Sequence, residues 1–304
     1  MLAVLCPGQG AQTPGMLAPW LELDSVAQAL HALSDATEVD LIAHGVTSDA
    51  DTIRDTAIAQ PLLVATALAT GREALGAAAP GVVAGHSVGE FAAAALGGVL
   101  SDADAVSLVT VRGRAMADAA ASSEPTSMAA VLGGVADEVA ARLAELGLTP
   151  ANANGGGQVV AAGSKAAIDA LVGEPPTRAR VIELQVAGAF HTSYMAPAVE
   201  VLAAAAADVA RSAPQVPLLS NADGTVVATG DETVARLVTQ VASPVRWDLC
   251  MERMLELGVT GILEVAPGGV LTGLAKRGMK GIPAVALKTP EDLTAARELV
   301  EAHA

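Results

Sequence analysis

The string Gly85-His86-Ser87-Val88-Gly89 matches Gly-x-Ser-x-Gly, the spacing that sets a nucleophilic serine on a sharp turn between a strand and a helix. Such a turn crowds the flanking backbone, so the positions two residues either side of the serine cannot carry bulk. It also leaves the backbone N–H of the following residue, Val88, at a helix N-terminus, where it can hold an oxyanion. The preceding apolar run and the following small-residue segment supply the strand and helix that the string needs. A serine nucleophile requires a base, and the chain has five histidines. His303 reads as part of a frayed tail, and His31 and His44 lie in an acidic region with no motif beside them. His86 adjoins the serine, but neighbours on a tight elbow point apart, which makes it structural. Elimination leaves His191, in Gly188-Ala189-Phe190-His191; taken alone, it would read equally well as a satisfied core or loop histidine.

Two further features flank this pair. Arg112 follows Ser87 by 25 residues on an apolar-faced helix, and spacing alone makes it a surface arginine. Gly8-Gln9-Gly10 follows the first apolar run, yet its third glycine would fall at Thr13, and the Gly-Lys-Ser/Thr of a P-loop is absent. The backbone N–H groups of this turn suit a reacting carbonyl better than a pyrophosphate.

The elements that must position these residues follow an alternation of short apolar runs and longer helical patterns, the mark of an α/β fold with a mostly parallel sheet. Strands are expected at Leu2–Cys6, Gly81–Ala84 and Ile262–Val265, and helices at Phe91–Leu96, Ala103–Ala121 and Val270–Arg277. Between them lies a different rhythm: strand Met128–Leu132, helix Ala136–Leu146, strand Gln158–Ala162, helix Lys165–Leu171, strand Arg180–Val186. This βαβαβ order resembles a ferredoxin-like unit. The expected organisation is therefore a discontinuous catalytic domain, 1–126 and 190–304, interrupted by a subdomain at 127–189.

Composition narrows the function classes. The 304 residues are 52% apolar, ample for a buried core, although only five are aromatic: Trp20, Phe91, Phe190, Tyr194 and Trp247. Thirty-three acidic against 17 basic side chains give a net charge of −16, which disfavours binding to nucleic acid phosphates. No Lys or Arg precedes Arg54, so the N-terminus lacks the charged region of a signal peptide, and no apolar stretch makes a membrane span. Cys6 and Cys250 are far apart without a metal-binding spacing and read as reduced thiols in a cytoplasmic protein.

Taken together, the motifs closely resemble the malonyl-CoA:acyl-carrier-protein transacylases of bacterial fatty-acid and polyketide synthesis. The resemblance runs along nearly the whole chain. It includes Pro7-Gly8-Gln9-Gly10-Ala11-Gln12, Gln60-Pro61, the Ser87 elbow with Glu90, and Arg112-Gly113. Further on come Asn152-Ala153-Asn154, Gly188-Ala189-Phe190-His191, Ser243-Pro244-Val245-Arg246-Trp247 and Glu264-Val265-Ala266-Pro267-Gly268. It implies an α/β-hydrolase-like core with a ferredoxin-like insert. It further implies Ser87 as nucleophile, His191 as base, and Arg112 as the clamp on a malonyl carboxylate. The N–H groups of Gln9 and Val88 would form the oxyanion hole. A backbone carbonyl in place of a third carboxylate would orient the histidine, and Gln240 is the residue assigned to it. In related domains Ala-Phe-His accompanies malonyl groups, which makes Phe190 a selectivity residue unless it is simply a core aromatic. Met116, one turn from Arg112, reads as pocket wall or as ordinary helix packing. Val88 stands where many fatty-acid-pathway relatives have leucine, so the resemblance speaks to the reaction more than to the pathway.

The implied partners are malonyl-CoA and an acyl carrier protein, with no permanently bound cofactor, no metal, no nucleic acid and no membrane. The initiating Met and family-length chain favour a stand-alone enzyme. Both partners are anionic, so against −16 they need local positive ground. Lys276 and Arg277 are the candidates, a solvated helix end being the other reading. A serine esterase or thioesterase on the same elbow is the alternative enzyme, and a non-catalytic carrier-protein-binding module the alternative of another class.

Overall fold

The computed structural model describes all residues, 1–304. The strand β1 (Leu2–Cys6) leads through α1 (Asp24–Asp35) and α2 (Leu41–Val46) into the long α3 (Thr56–Leu75). Next come β2 (Val82–Gly85), α4 (Gly89–Leu96) and α5 (Asp102–Ser122). A second unit follows: β3 (Thr126–Gly133), α6 (Ala136–Glu145), β4 (Thr149–Gly155), β5 (Gln158–Ser164), α7 (Lys165–Gly173) and β6 (Ala179–Glu183). The chain returns through α8 (Ala196–Ala206), α9 (Gly230–Thr239), β7 (Val245–Arg246) and α10 (Trp247–Glu256). It ends with β8 (Gly261–Glu264), α11 (Val270–Gly278), β9 (Ala284–Ala286) and α12 (Leu293–His303).

The first sheet has the order β2-β1-β8-β9, with every pairing parallel. Its strands β1, β2 and β8 are buried throughout, as continuous apolar runs covered on both faces must be. Alanine-rich helices pack on it; α4 is buried along its whole length, and α3 and α5 pack closely against one another. Small side chains permit that close approach in a core with few aromatic rings.

The second sheet has the order β6-β3-β5-β4-β7. Each neighbouring pair among its first four strands is antiparallel, and with α6 and α7 they form the βαββαβ ferredoxin-like arrangement. The expected βαβαβ order is corrected here, because β4 is a further strand. Thr149-Pro-Ala-Asn-Ala-Asn-Gly lacks β-branched and aromatic residues after its first position, and its pairing is interrupted at Pro150/Asn152 and Ala153/Gly155. The last strand ends at Glu183 rather than Val186. The sheet also borrows β7, which pairs parallel to β4 from outside the 127–189 segment. No helix is long and apolar enough to cross a membrane.

Candidate active site

The C-terminal ends of β1 and β2 lie side by side, with Cys6 opposite Gly85. The turn after β2 places Ser87 at φ 53°, the left-handed conformation, two residues ahead of α4. Glycine is required on both sides. A Cβ on Gly85 would lie 2.0 Å from the Gly89 backbone, and one on Gly89 would lie 2.2 Å from Cys6 O. The turn after β1 is equally close: a Cβ on Gly8 would meet His86 O at 2.8 Å. The backbone N–H groups of Gln9 and Val88 take no part in the backbone hydrogen bonding, so both remain free donors, Gln9 lining the same cleft as Ser87 and Val88 following it in the chain.

His191, also at positive φ (60°) and buried, lies with Nε2 2.7 Å from Ser87 Oγ. Its Nδ1–H donates to the Gln240 carbonyl at 2.9 Å, which leaves Nε2 unprotonated to accept the serine O–H. Gln240 is fixed in turn, its side-chain amide donating to Ser243 O at 2.8 Å and Pro244 O at 3.1 Å. A backbone carbonyl therefore occupies the place that a carboxylate takes in a Ser-His-Asp triad. Burial, then the nearby Arg112 charge, push the imidazole pKa down to about 3, with the bond to Gln240 O opposing the shift.

This shift has a sign. With its folded value below the ordinary 6.5, the folded protein binds fewer protons than the unfolded chain between those limits, so stability falls as pH drops from 6.5 toward 3. Over the upper part of this range the folded imidazole stays neutral, the form that can accept the serine proton. The rate at which a serine-directed fluorophosphonate labels Ser87 is therefore expected to stay level from neutral pH down to about pH 5. A decline centred on the ordinary histidine value would contradict it.

Arg112 is not a surface residue. It is 1% exposed in the middle of α5, which corrects the reading from spacing. Helical periodicity registers the face of an element but not the polar partner that waits inside the fold. Here that partner is Gln60 on α3, whose Oε1 accepts from Arg112 Nη1 at 2.7 Å. Nη2 lies 3.5 Å from Ser87 Oγ, the guanidinium sits 5.9 Å from the Phe91 ring centroid, and Nε has no hydrogen-bond partner. No carboxylate pairs with it, although thirteen other ion pairs are formed. The nearby Glu90 acts only through space, and burial pushes its own pKa up to about 8. A buried guanidinium with a free N–H edge and no counter-ion is suited to receive a carboxylate from outside the chain.

Ser87 and His191 open into a cleft of 370 Å³ lined also by Gln9, Gln60, Met116 and Phe190. Arg112 is not itself among the lining residues and meets the cleft through Gln60 and Ser87. Met116 combines the two roles considered for it: it is buried helix packing and cleft wall at once, its Sδ 3.5 Å from Gln60 Nε2. Arg277 reaches the cleft from α11 and donates to Gln158 Oε1 at 2.8 Å, whereas Lys276 is exposed beside it and does not line the cleft. His86 is held away from the serine, its Nε2 2.8 Å from Asn154 Oδ1 and its ring against Trp247. His303 is not frayed: it closes α12, with Nδ1 2.9 Å from Thr260 Oγ1. Asn221, which is not among the residues singled out by the sequence, accepts the Ser87 N–H at 2.7 Å. It lies 134 residues from the serine, and no spacing signals it.

An acyl transferase domain model matches residues 4–295. The malonyl CoA-acyl carrier protein transacylase of Mycobacterium tuberculosis is 50% identical over 297 residues, covering 96% of this chain and 98% of that protein. The crystal structure of MCAT from Mycobacterium tuberculosis superimposes with a TM-score of 0.94 at 49% identity, over 98% of this chain and 99% of the other. A malonyl-transacylase in complex with its type II PKS acyl-carrier protein gives a TM-score of 0.90 at 32% identity, over 98% and 99% of the two chains.

Proposed function

This chain belongs to the acyl transferase domain family of malonyl-CoA:acyl-carrier-protein transacylases, and from that premise we propose how its residues do the work. The enzyme moves a malonyl group from malonyl-CoA to the phosphopantetheine thiol of an acyl carrier protein, in fatty-acid or polyketide synthesis. The observation that carries the assignment of the site is Arg112, a buried cation without an anion, 3.5 Å from Ser87 Oγ.

In the first half-reaction His191 Nε2 takes the Ser87 proton as Oγ attacks the thioester carbonyl. The N–H groups of Gln9 and Val88 hold the oxyanion. Collapse breaks the C–S bond; CoA leaves with the proton from His191, and a malonyl-serine ester remains. In the second, the carrier thiol gives its proton to His191 and attacks that ester, and Ser87 departs reprotonated. Arg112 holds the malonyl carboxylate throughout. Its pairing offsets the positive charge that helps to depress His191, so the loaded site contains a stronger base than the empty one.

Segments 1–126 and 190–304 act as the catalytic domain, and the 127–189 subdomain forms the opposite wall that keeps water from the ester. Phe190 limits the space around the α-carbon. Phe190→Ser is expected to narrow the preference for malonyl over methylmalonyl by roughly tenfold or more in kcat/KM, the scale of one methyl group in a fitted pocket. An unchanged ratio would remove Phe190 from selectivity. Lys276 and Arg277, neither of them paired with a carboxylate, give the anionic carrier a landing place beside the cleft mouth. Reversing the charge of Lys276, which lies outside the cleft, is expected to raise the carrier-protein KM several-fold while leaving malonyl-enzyme formation intact. Reversing Arg277, which lines the cleft, should weaken both half-reactions. An unchanged KM would exclude docking there.

The reaction needs no resident cofactor, and two buried thiols suit the cytoplasm. Product analysis tests the whole reading: malonyl on the carrier thiol supports transfer, and free malonate supports a hydrolase.

A further inference from the structure

We propose that Asn221 is a positioning residue for the nucleophile, its side-chain amide tying the two ends of the elbow together so that Ser87 Oγ stays aligned with His191. The segment after Pro217 runs along the outer edge of β2, with Val83 N–H donating to Pro217 O and Leu219 N–H to Val83 O. This extension delivers Asn221, 0% exposed, beneath the turn. Its Oδ1 accepts the Ser87 N–H and its Nδ2 donates to Gly85 O, each at 2.7 Å, so one amide spans the turn on both sides of His86.

The clamp is itself anchored. The Asn221 N–H donates to Glu90 Oε1 at 2.7 Å, and Glu90 N–H donates back to Ser87 O at 3.0 Å, closing a ring through α4. The Asn221 carbonyl accepts the Arg246 N–H at 2.7 Å. Arg246 lies just beyond the Gln240–Pro244 turn that holds His191, so the clamp joins the serine to the support of its base. By occupying the Ser87 N–H, it also leaves the unpaired N–H groups of Val88 and Gln9 as the oxyanion donors of the cycle proposed above. An amide is needed because the site asks for one acceptor and one donor. An ionised carboxylate supplies only acceptors, and an apolar side chain supplies neither.

The inference rests on Ser87 being the nucleophile of the transfer proposed above, and two probes separate the claims. In the full-length protein, Asn221→Ala is expected to lower both the single-turnover rate of malonyl-serine formation and fluorophosphonate labelling by roughly 10²-fold. The malonyl-CoA KM should stay near its original value, because Arg112 is untouched. Asn221→Asp gives a sharper readout. A neutral carboxyl can accept from Ser87 and donate to Gly85 O, whereas the ionised form cannot donate. The labelling rate of this variant relative to its Asn221 parent is therefore expected to approach one in acid and fall as pH rises. Glu90 from α4, accepting from the Asn221 backbone N–H, and Cys250 from α10, with Sγ 3.7 Å from Nδ2, are the titratable groups at this position. Because a carboxyl at 221 couples to Glu90, the ratio is taken in a Glu90→Gln background, where the remaining pH dependence belongs to residue 221.

A ratio near one at every pH would overturn the clamp, as would a raised KM with kcat preserved. If Asn221→Ala does not fold, the pH dependence of Asn221→Asp decides alone. Failure of malonyl-CoA to acylate native Ser87, with phosphonate labelling intact, would overturn the transferase reading while the labelling ratio still judged the clamp.

Discussion

Ser87→Ala is expected to carry no covalent malonyl after incubation with malonyl-CoA, and transfer to the carrier protein should fall roughly 10⁴- to 10⁶-fold. The size of the loss follows from what the serine does. Without it the reaction would need direct attack of the carrier thiol on the CoA thioester, in a site whose base is placed for an oxygen 2.7 Å away. Stability should change little, because the substitution removes one oxygen from a turn whose backbone contacts to Cys6, Asn221 and Glu90 all remain. Intact mass spectrometry and a carrier-malonylation assay read the two effects separately. A malonyl adduct persisting on the variant would place the nucleophile elsewhere.

The second large effect should separate two acyl groups rather than abolish the reaction. Arg112→Ala is expected to lower kcat/KM for malonyl transfer roughly 10²- to 10³-fold, the scale of truncating one partner of a buried charge pair. Acetyl transfer should hold steady or rise. An acetyl group offers no carboxylate, so in the native site it leaves a desolvated cation unpaired. Removing that cation also removes a charge that depresses His191, which strengthens the base for any acyl group. Equal losses for both substrates would reduce Arg112 to a structural role.

What could be read from the sequence follows the range of the interactions involved. The elbow is local: a strand, a five-residue turn and a helix, with glycines excluded from any replacement by contacts of 2.0 and 2.2 Å. Its string therefore states its geometry. The two continuous apolar strands β1 and β2 were legible for the same reason, since burial on both faces leaves no alternation to interpret. His191 was found by elimination among five histidines, which works only in a chain so poor in them.

Long-range polar contacts were not legible. Arg112 owes its burial to Gln60, 52 residues away, and α5 gives no sign of that bond in its own pattern. Asn221 owes its place to an extension along β2 made by two backbone hydrogen bonds, which no side-chain pattern encodes. The strand β4 escaped because its residues have low β propensity, and pairing with β5 and β7 imposes the extended conformation that they do not favour. Net charge is likewise a property of the whole surface rather than of the site. A net −16 disfavours anionic partners overall, yet the decisive charge at the site is one buried cation.

In the proposed cycle a malonyl group resides on Ser87 between its two carriers. Time-resolved intact mass of the native protein mixed with malonyl-CoA, followed by peptide mapping, tests it most directly. A single malonyl adduct at Ser87 is expected to accumulate and persist, then to disappear on addition of carrier protein as the malonyl mass appears on its phosphopantetheine. An adduct that decays to free malonate at the same rate with or without the carrier, or transfer without any adduct, would contradict it.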